Sequence, residues 1–168
     1  MTDASPSPPP PGAASPRYYW EDFTVGRRFA LGRTEVRREE VLAFAQQFDP
    51  QPFHLDDAAA EASLFGRLSA SGWHTASMTM RQICEGYLLD SAGLGSPGID
   101  TLRWLQPVHP GDTLTGAMDV LEARVMNSRP QVGLVRSRWE VRNQHGVPVL
   151  TMEGWGMFRR REVPAAPC

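Results

Sequence analysis

Two short segments in the middle of the chain organise the sequence: Asp-Pro-Gln-Pro-Phe-His at residues 49–54 and Ser-Ala-Ser-Gly at residues 69–72. The prolines of the first segment disfavour helix and push each preceding residue toward extended backbone, which predicts a stiffened loop. This loop holds a carboxylate, Asp49, and an imidazole, His54, a few residues apart. A carboxylate and an imidazole fixed on one loop form a candidate pair for proton transfer.

The second segment opens the longest helical pattern in the chain, from Ser71 to about Ser91. Apolar residues recur there at spacings of three and four, and they are Trp73, Ala76, Met80, Ile83, Tyr87 and Leu88. The pattern predicts a central helix that buries this stripe in the core, while Gly93 and Gly95 end the segment.

The rest of the domain has the pattern of strands. Segments 28–36, 99–105, 113–125 and 148–159 are predicted strands, as is the alternation of apolar and charged residues around Val135 to Val141, and residues 127–130 are a predicted loop. A shorter amphipathic helix ends near Phe48 and leads into the 49–54 loop. One long helix followed by consecutive antiparallel strands predicts an α+β fold in which a curved sheet wraps a long central helix.

Composition limits the classes of protein to consider. The chain has 168 residues, 41% of them hydrophobic, and a net charge of -2, which is typical of one soluble domain and a poor match to a nucleic-acid-binding protein. No apolar run is long enough to span a bilayer and no export signal is present, so we expect no membrane association and a cytoplasmic location. Residues 1–17 are predicted to be a disordered Pro/Ser/Ala-rich tail, residues 18–161 the domain, and residues 162–168 a flexible tail.

Motifs for cofactors are missing from the sequence. It contains no Gly-rich dinucleotide or phosphate loop and no zinc-protease motif. The side chains of Asp49, His54, Asp56 and Asp57 could gather a metal ion in principle, but no second histidine stands at ligand spacing. We therefore predict no metal and no cofactor, and capping of a short helix as the role of Asp56 and Asp57.

The two central segments also carry a resemblance to a known family. Residues 44–45, 49–56, 65–67 and 70–77, together with the later Pro-Val-His-Pro-Gly-Asp of residues 107–112, resemble the MaoC-type dehydratases of the (R)-specific enoyl-CoA hydratase group. The resemblance spans nearly the whole domain. It implies a hot-dog fold, a homodimer, and reversible addition of water to a trans-2-enoyl thioester of coenzyme A or a related carrier.

The same resemblance assigns roles to individual residues. It implies that Asp49 and His54 are the catalytic pair and that the N–H of Gly72 belongs to an oxyanion hole. The neighbouring residues implied to line the oxyanion or substrate site are Gln51, Phe53, Ser71 and Trp73. The sequence departs from the family where Gln51, Ser71 and Met80 stand in place of the common asparagine, histidine and serine. Gln51 retains amide hydrogen bonding, and Ser71 can still cap the helix.

Two other functions and several details stay open on the sequence alone. A hot-dog thioesterase would need an acidic residue on the central helix near Gly72, whereas Glu85 lies far along it. A catalytically weak acyl-thioester-binding subunit would not need both Asp49 and His54. A surface or structural role is expected for His74, with a place in the pocket as the alternative. Surface ion pairs are expected for Arg67 and Arg103, for which contact with coenzyme A phosphates is the alternative. Acyl chain length, carrier and direction of reaction are not predicted.

Overall fold

The structure is a computed structural model that describes residues 15–161. Its helices are α1 (Arg38–Phe48), α2 (Asp57–Glu61) and α3 (Gly72–Ile83), and its strands are β1 (Arg28–Glu35), β2 (Gly93–Trp104), β3 (Thr113–Met126), β4 (Arg129–Arg142) and β5 (Pro148–Arg159). Short 3-10 turns occur at Trp20–Asp22 and Pro52–His54, and a π-helical turn, Cys84–Leu88, continues α3. Of the two predicted tails, only residues 15–17 fall within the described range, and there the N–H of Arg17 donates to the carbonyl of Asp90 over 2.7 Å.

The five strands form one antiparallel sheet in the order β1-β3-β4-β5-β2. Strand β4 shows the predicted alternation, because Val135 and Trp139 are buried while Arg138 and Arg142 are exposed. The sheet and the helix α3 confirm the predicted α+β class. In the part of the chain that the structure describes, no helix is both long and apolar enough to cross a membrane.

Two strand boundaries differ from the prediction. Strand β2 begins at Gly93, well before the predicted start at Ile99, so the glycines expected to end the helix belong to the sheet. The pairing of β2 with β5 shifts register near Gly95 and Gly98, which have positive φ angles of 116° and 147°. Glycine adopts positive φ angles without strain. The irregular pairing lets this glycine-containing segment lie in a strand although its sequence is typical of a loop. The predicted loop at residues 127–130 is also shorter, since β4 already starts at Arg129.

The buried face of α3 was predicted only in part. Ile83 and Tyr87 are buried as expected, but Trp73 is 60% exposed and Met80 is 43% exposed. The buried residues of α3 are His74, Thr75, Met78, Thr79, Gln82 and Ile83. Hydrophobic periodicity missed this face because several of its buried residues are polar, and some of their polar groups bond within the protein. The hydroxyl of Thr79 donates to the carbonyl of Thr75 over 2.8 Å, for example.

An aromatic cluster anchors the far end of the central helix. Phe23 packs against Phe29, Tyr87 and Phe158 with ring centroids 5.4, 5.8 and 4.3 Å apart. The indole N–H of Trp139 donates to the Tyr87 hydroxyl over 3.3 Å, and burial raises the pKa of Tyr87 to about 12. The C-terminal end of the helix is therefore fixed in the core, and its N-terminal end lies at the loop of residues 49–54.

Candidate active site at the start of helix α3

The loop at residues 49–54 presents its two polar side chains toward α3. Asp49 follows the last residue of α1, and its backbone N–H donates to the carbonyl of Ala45 over 3.0 Å. Gln51 has the extended backbone expected of a residue before proline, with φ -77° and ψ 138°, and Pro52 then opens the 3-10 turn that ends at His54. The prolines thus place the carboxylate and the imidazole at the two ends of one rigid turn.

The imidazole of His54 is buried and its orientation is defined. The Nδ1 atom lies 2.8 Å from the carbonyl oxygen of Ser69. Because a carbonyl oxygen only accepts, Nδ1 carries the proton and donates, and Nε2 is directed toward Asp49. Nε2 lies 3.6 Å from Oδ2 of Asp49. This separation is too long for a direct hydrogen bond, and one water molecule can contact both atoms.

The carboxylate of Asp49 is held on both oxygens. The hydroxyl of Ser71 donates to Oδ2 over 2.6 Å, and the amide of Gln51 donates to Oδ1 over 2.7 Å. The bond from Ser71 is the main cause that lowers the pKa of Asp49 below its usual value. Partial burial opposes this shift, while Gln51 and His54 add to it, so Asp49 is ionised at neutral pH.

Helix α3 begins beside this carboxylate. Ser71 is its N-cap, as its side chain accepts from the N–H of Trp73 over 3.2 Å, which confirms the predicted capping role. Gly72 is the first helical residue, so its N–H lies in the turn where amides have no partner within the helix and the helix dipole favours negative charge. The start of α3 is therefore a suitable place for an oxygen that gains negative charge.

Trp104, at the end of β2, defines the surroundings of Gly72. Its indole N–H donates to the carbonyl of Gly72 over 2.7 Å. A Cβ atom on Gly72 would lie only 2.6 Å from the Trp104 ring. The indole of Trp104 therefore fills the space beside Gly72 that a side chain would need.

A cavity of about 270 Å³ opens next to the imidazole and the start of α3. Its lining residues are His54, Phe65, Ala70, Gly72, Thr75, Trp104, Leu105, Gln106, Pro107 and Val108. Most of these side chains are apolar, and His54 and the backbone of Gly72 are among the polar groups that reach the cavity. This composition suits an apolar ligand with one polar reacting centre.

The structure brings together most of the residues predicted for the site. Asp49, Gln51, His54, Ser71 and Gly72 form one cluster through these contacts. Phe53 contacts this cluster through His54, because the two rings pack edge-on with their centroids 4.6 Å apart.

Trp73 lies apart from this cluster. Its ring meets the Trp104 ring edge-on at 5.3 Å, and it lines a separate surface groove with Phe44, Phe48, Ala76, Ser77 and Met80. His74 has a structural role, since it is buried and stacks on Phe44 at 4.8 Å, and burial lowers its pKa.

Trp104 and Ser69 were missed in the sequence. Ser69 contributes its backbone carbonyl, which any residue could supply, and its hydroxyl also lies 3.5 Å from Nδ1 of His54. Trp104 depends on the irregular register of β2, which no local pattern reveals. Arg67 and Arg103 were expected to form surface ion pairs; both are exposed, and neither pairs with a carboxylate within residues 15–161.

The four side chains considered as metal ligands have separate roles. Asp56 caps α2 by accepting from the N–H of Ala59 over 2.8 Å, as predicted. Asp57 instead pairs with Arg38 through two hydrogen bonds of 3.0 and 2.6 Å. Across the described residues, no group of three His, Cys, Asp or Glu side chains is arranged to hold a metal ion.

Comparison with known proteins identifies the family. The family model of the MaoC like domain matches residues 22–142, and the chain therefore belongs to the MaoC-like domain family. The crystal structure of a MaoC-like dehydratase from Rhodospirillum rubrum is 40% identical in sequence, with a TM-score of 0.80, over 87% of this chain and 99% of that one. The (R)-hydratase PhaJ1 from Pseudomonas aeruginosa is 25% identical, with a TM-score of 0.68, over 89% of this chain and 94% of that one.

A curated relative has a shorter match. Mesaconyl-CoA hydratase from Cereibacter sphaeroides is 41% identical over 63 residues, which are 38% of this chain and 18% of that protein. The fold is the hot-dog fold of these hydratases and dehydratases, as the resemblance in the sequence implied. The family to which the chain belongs is one of hydratases and dehydratases.

Proposed function

We propose that the protein is an enoyl-thioester hydratase that also acts in reverse as a 3-hydroxyacyl-thioester dehydratase. The observation that carries this proposal is the position of an ionised Asp49, held on both oxygens, 3.6 Å from Nε2 of a buried His54 at the edge of an apolar cavity. Hydration of an activated double bond needs a base for water, an acid for the alpha carbon and donors for the thioester oxygen.

The geometry supports a single water as the source of both added groups. With the proton of His54 on Nδ1, both Oδ2 of Asp49 and Nε2 of His54 can accept from one water. The water oxygen then attacks the beta carbon of the enoyl group while one proton passes to the pair. The pair returns a proton to the alpha carbon on the same face, so one water is added and no other reactant is consumed.

The start of α3 supports stabilisation of the intermediate. As the beta carbon is attacked, negative charge develops on the thioester oxygen, and the N–H of Gly72 is the donor proposed to meet it. The indole N–H of Trp104 donates to the carbonyl of Gly72, which belongs to the following peptide group, and so helps to hold the first residue of α3 in place. This pre-organisation favours the charged transition state over the neutral substrate.

For the substrate, we propose an acyl thioester of coenzyme A. The cavity beside His54 is mainly apolar, as an acyl chain requires, and the similar proteins include an (R)-hydratase and mesaconyl-CoA hydratase. Arg67 and Arg103 are exposed, and their guanidinium groups are proposed contacts for the phosphates of the carrier. The proposed addition of water involves no redox step, and its proton transfers are assigned to the side chains of Asp49 and His54.

A thioesterase is less well supported by the same structure. Glu85, the acidic residue on the helix, is exposed and forms an ion pair with Arg81. It stands thirteen residues beyond Gly72, about 20 Å along a helix at about 1.5 Å per residue. Neither α3 nor the π-helical turn that continues it has a carboxylate among the residues that line the cavity, which makes a thioesterase the less well supported alternative. A binding subunit without activity would not need the Asp49 carboxylate to be held by two donors.

We also propose a homodimer in which the edge strand β2 is covered by a second copy. Strand β2 pairs only with β5 in the described chain and is exposed along almost its whole length. It carries Leu94, Ile99 and Trp104, which are 42%, 48% and 46% exposed. A long exposed edge strand with apolar side chains promotes pairing with another chain. A symmetric dimer would pair this edge with the same edge of a second copy.

Loss of the conjugated enoyl absorbance tests the proposed activity. A panel of trans-2-enoyl-CoA thioesters of increasing chain length, together with a branched dicarboxylic one, would be incubated with the protein while free thiol is followed in parallel. The proposal expects loss of the enoyl signal without thiol release, and chiral analysis should show one 3-hydroxyacyl enantiomer. Thiol release at the same rate as substrate loss would instead identify a thioesterase, and no reaction across the panel would refute the hydratase proposal.

A further inference from the structure

The hydroxyl of Ser71 has a partner on each side. It donates to Oδ2 of Asp49 over 2.6 Å and accepts from the N–H of Trp73 over 3.2 Å. An N–H group can only donate and an ionised carboxylate can only accept, so the hydroxyl proton must point at Asp49. The side chain is fully buried, which keeps water from competing for this proton.

Among residues 15–161, the bond from Ser71 is the one contact that joins the Asp49 side chain to α3. Gln51, the donor to the other carboxylate oxygen, lies on the same loop as Asp49 and is exposed. It therefore fixes the carboxylate only relative to its own loop. Ser71 belongs to α3, as its N-cap, and directly precedes Gly72. One hydroxyl thus sets the position of the carboxylate relative to the first amide of the helix.

We infer that Ser71 is a positioning residue, whose hydroxyl holds the Asp49 carboxylate at a fixed distance from the Gly72 amide. A water molecule bound to Asp49 and a thioester oxygen bound to Gly72 are then also held at a fixed distance from each other. This inference rests on the proposed hydratase function. It gives Ser71 a role through Asp49, distinct from the substrate or oxyanion contact that the family resemblance implies. Oδ2 keeps a second lone pair for water, because a carboxylate oxygen can accept more than one hydrogen bond.

The titratable group that faces Asp49 is His54, from the 3-10 turn, while Gln51 from the loop and Ser71 from α3 face it as neutral donors. Loss of the Ser71 hydroxyl should therefore raise the pKa of Asp49, because the largest cause of its lowering is removed. Loss of a cap alone would not move this titration.

The test compares three variants at one position. Ser71→Ala removes the hydroxyl and the cap, Ser71→Thr keeps both, and Ser71→Gly removes the hydroxyl while remaining a good N-cap residue. Asp49 would be titrated in each folded protein by NMR of carboxyl-labelled aspartate, and the pH profile of kcat/KM would be measured with an enoyl-CoA substrate. Ser91→Ala is the control, because it removes a hydroxyl that donates to the carbonyl of Leu88 at the other end of the helix.

The inference expects the Ala and Gly variants to raise the pKa of Asp49 and to lower kcat by about 10- to 100-fold, the size typical of a misplaced catalytic group, with little change in KM. Thr should restore both values to near wild type. An unchanged Asp49 titration in the Ala and Gly variants, with only a lower melting temperature in Ala, would overturn the inference. An inactive wild type whose Asp49 titration still responds to Ser71 would refute the hydratase function and support the coupling of these two residues.

Discussion

The indole of Trp104 occupies the space in which a side chain at position 72 would lie. A Cβ atom at that position would approach the ring to 2.6 Å, and the same indole donates to the carbonyl of Gly72 over 2.7 Å. A tryptophan at the end of β2 thus requires a glycine at the start of α3. The glycine is needed for the packing of the protein itself, besides any contact with a substrate.

Gly72→Ala should therefore displace Trp104 and lower both turnover and melting temperature. Trp104→Ala removes the ring with which a Cβ atom at position 72 would clash. The loss of melting temperature in the Gly72→Ala/Trp104→Ala double variant should therefore be smaller than the sum of the two single losses, and close to the loss in Trp104→Ala alone. Thermal melts and hydratase assays of the four proteins measure this coupling. Strictly additive losses would show that the two residues do not constrain each other.

Asp49→Asn should lower turnover by about 10²- to 10⁴-fold with little change in substrate affinity, because it retains the size of the side chain and removes its basicity. His54→Ala should lose a similar amount, and the double variant should be little worse than either, since the two groups act on one water. Steady-state kinetics on folded protein would measure these effects.

His109→Ala is the matched control for His54→Ala. The Nδ1 atom of His109 contacts the carbonyl of Leu68 at 2.8 Å, just as Nδ1 of His54 contacts the carbonyl of Ser69 at 2.8 Å. Removing His109 costs a comparable hydrogen bond away from the proposed water, so activity per folded molecule should stay near wild type. Activity within a few-fold of wild type in folded Asp49→Asn would sink the proposed mechanism.

The stability of the protein should depend on the ionisation of Asp49. Its pKa is lowered in the folded state, chiefly by the hydrogen bond from Ser71, while in the unfolded chain it returns to about 3.9. The stabilisation from this carboxylate is therefore fully present above about pH 4 and is lost as pH falls through the folded-state pKa.

Urea unfolding of wild type and Asp49→Asn across this range would measure that contribution. The difference in unfolding free energy between the two proteins should be constant near neutral pH and should shrink as the pH is lowered below about 4. A difference that grows toward acid pH would mean that the folded state raises the pKa of Asp49, contrary to the contacts observed.

Light scattering should give twice the chain mass of 18.6 kDa at micromolar concentration if β2 is an interface. Ile99→Lys places a charge on the exposed part of this edge and should shift the protein toward monomer, whereas Leu121→Lys changes a 39% exposed residue on β3, away from the edge strand, and should leave the mass unchanged. A monomer mass for wild type would contradict the proposed dimer.

Local patterns in the sequence were sufficient for the fold class and for the loop that holds Asp49 and His54. Proline restricts the backbone of its neighbours, and the alternation in β4 reports a sheet with one buried face, so both are visible without tertiary contacts. The buried face of α3 was predicted incorrectly because it carries polar residues, among them Thr79 and Gln82, whose hydroxyl and amide N–H donors are hydrogen-bonded within the protein. Gln82, for instance, donates to the carbonyl of Leu114 over 3.1 Å. Whether a buried polar side chain of α3 finds a hydrogen-bond partner depends on the neighbouring strands. The sequence of the helix alone does not reveal it.

The central helix is fixed at its C-terminal end, so a small tilt about that end displaces the residues at its N-terminal end. The helical segment from Gly72 to Leu88 rises about 25 Å at about 1.5 Å per residue, and Tyr87 holds its far end through Trp139. A tilt of only about 2° about that point would move the first amide by about 1 Å, a displacement that can cost about 100-fold in rate. Substitutions in the aromatic core around Tyr87 should thus alter turnover although they lie far from the proposed active site. A survey of variants should therefore find lowered rates for substitutions of residues that do not contact a substrate.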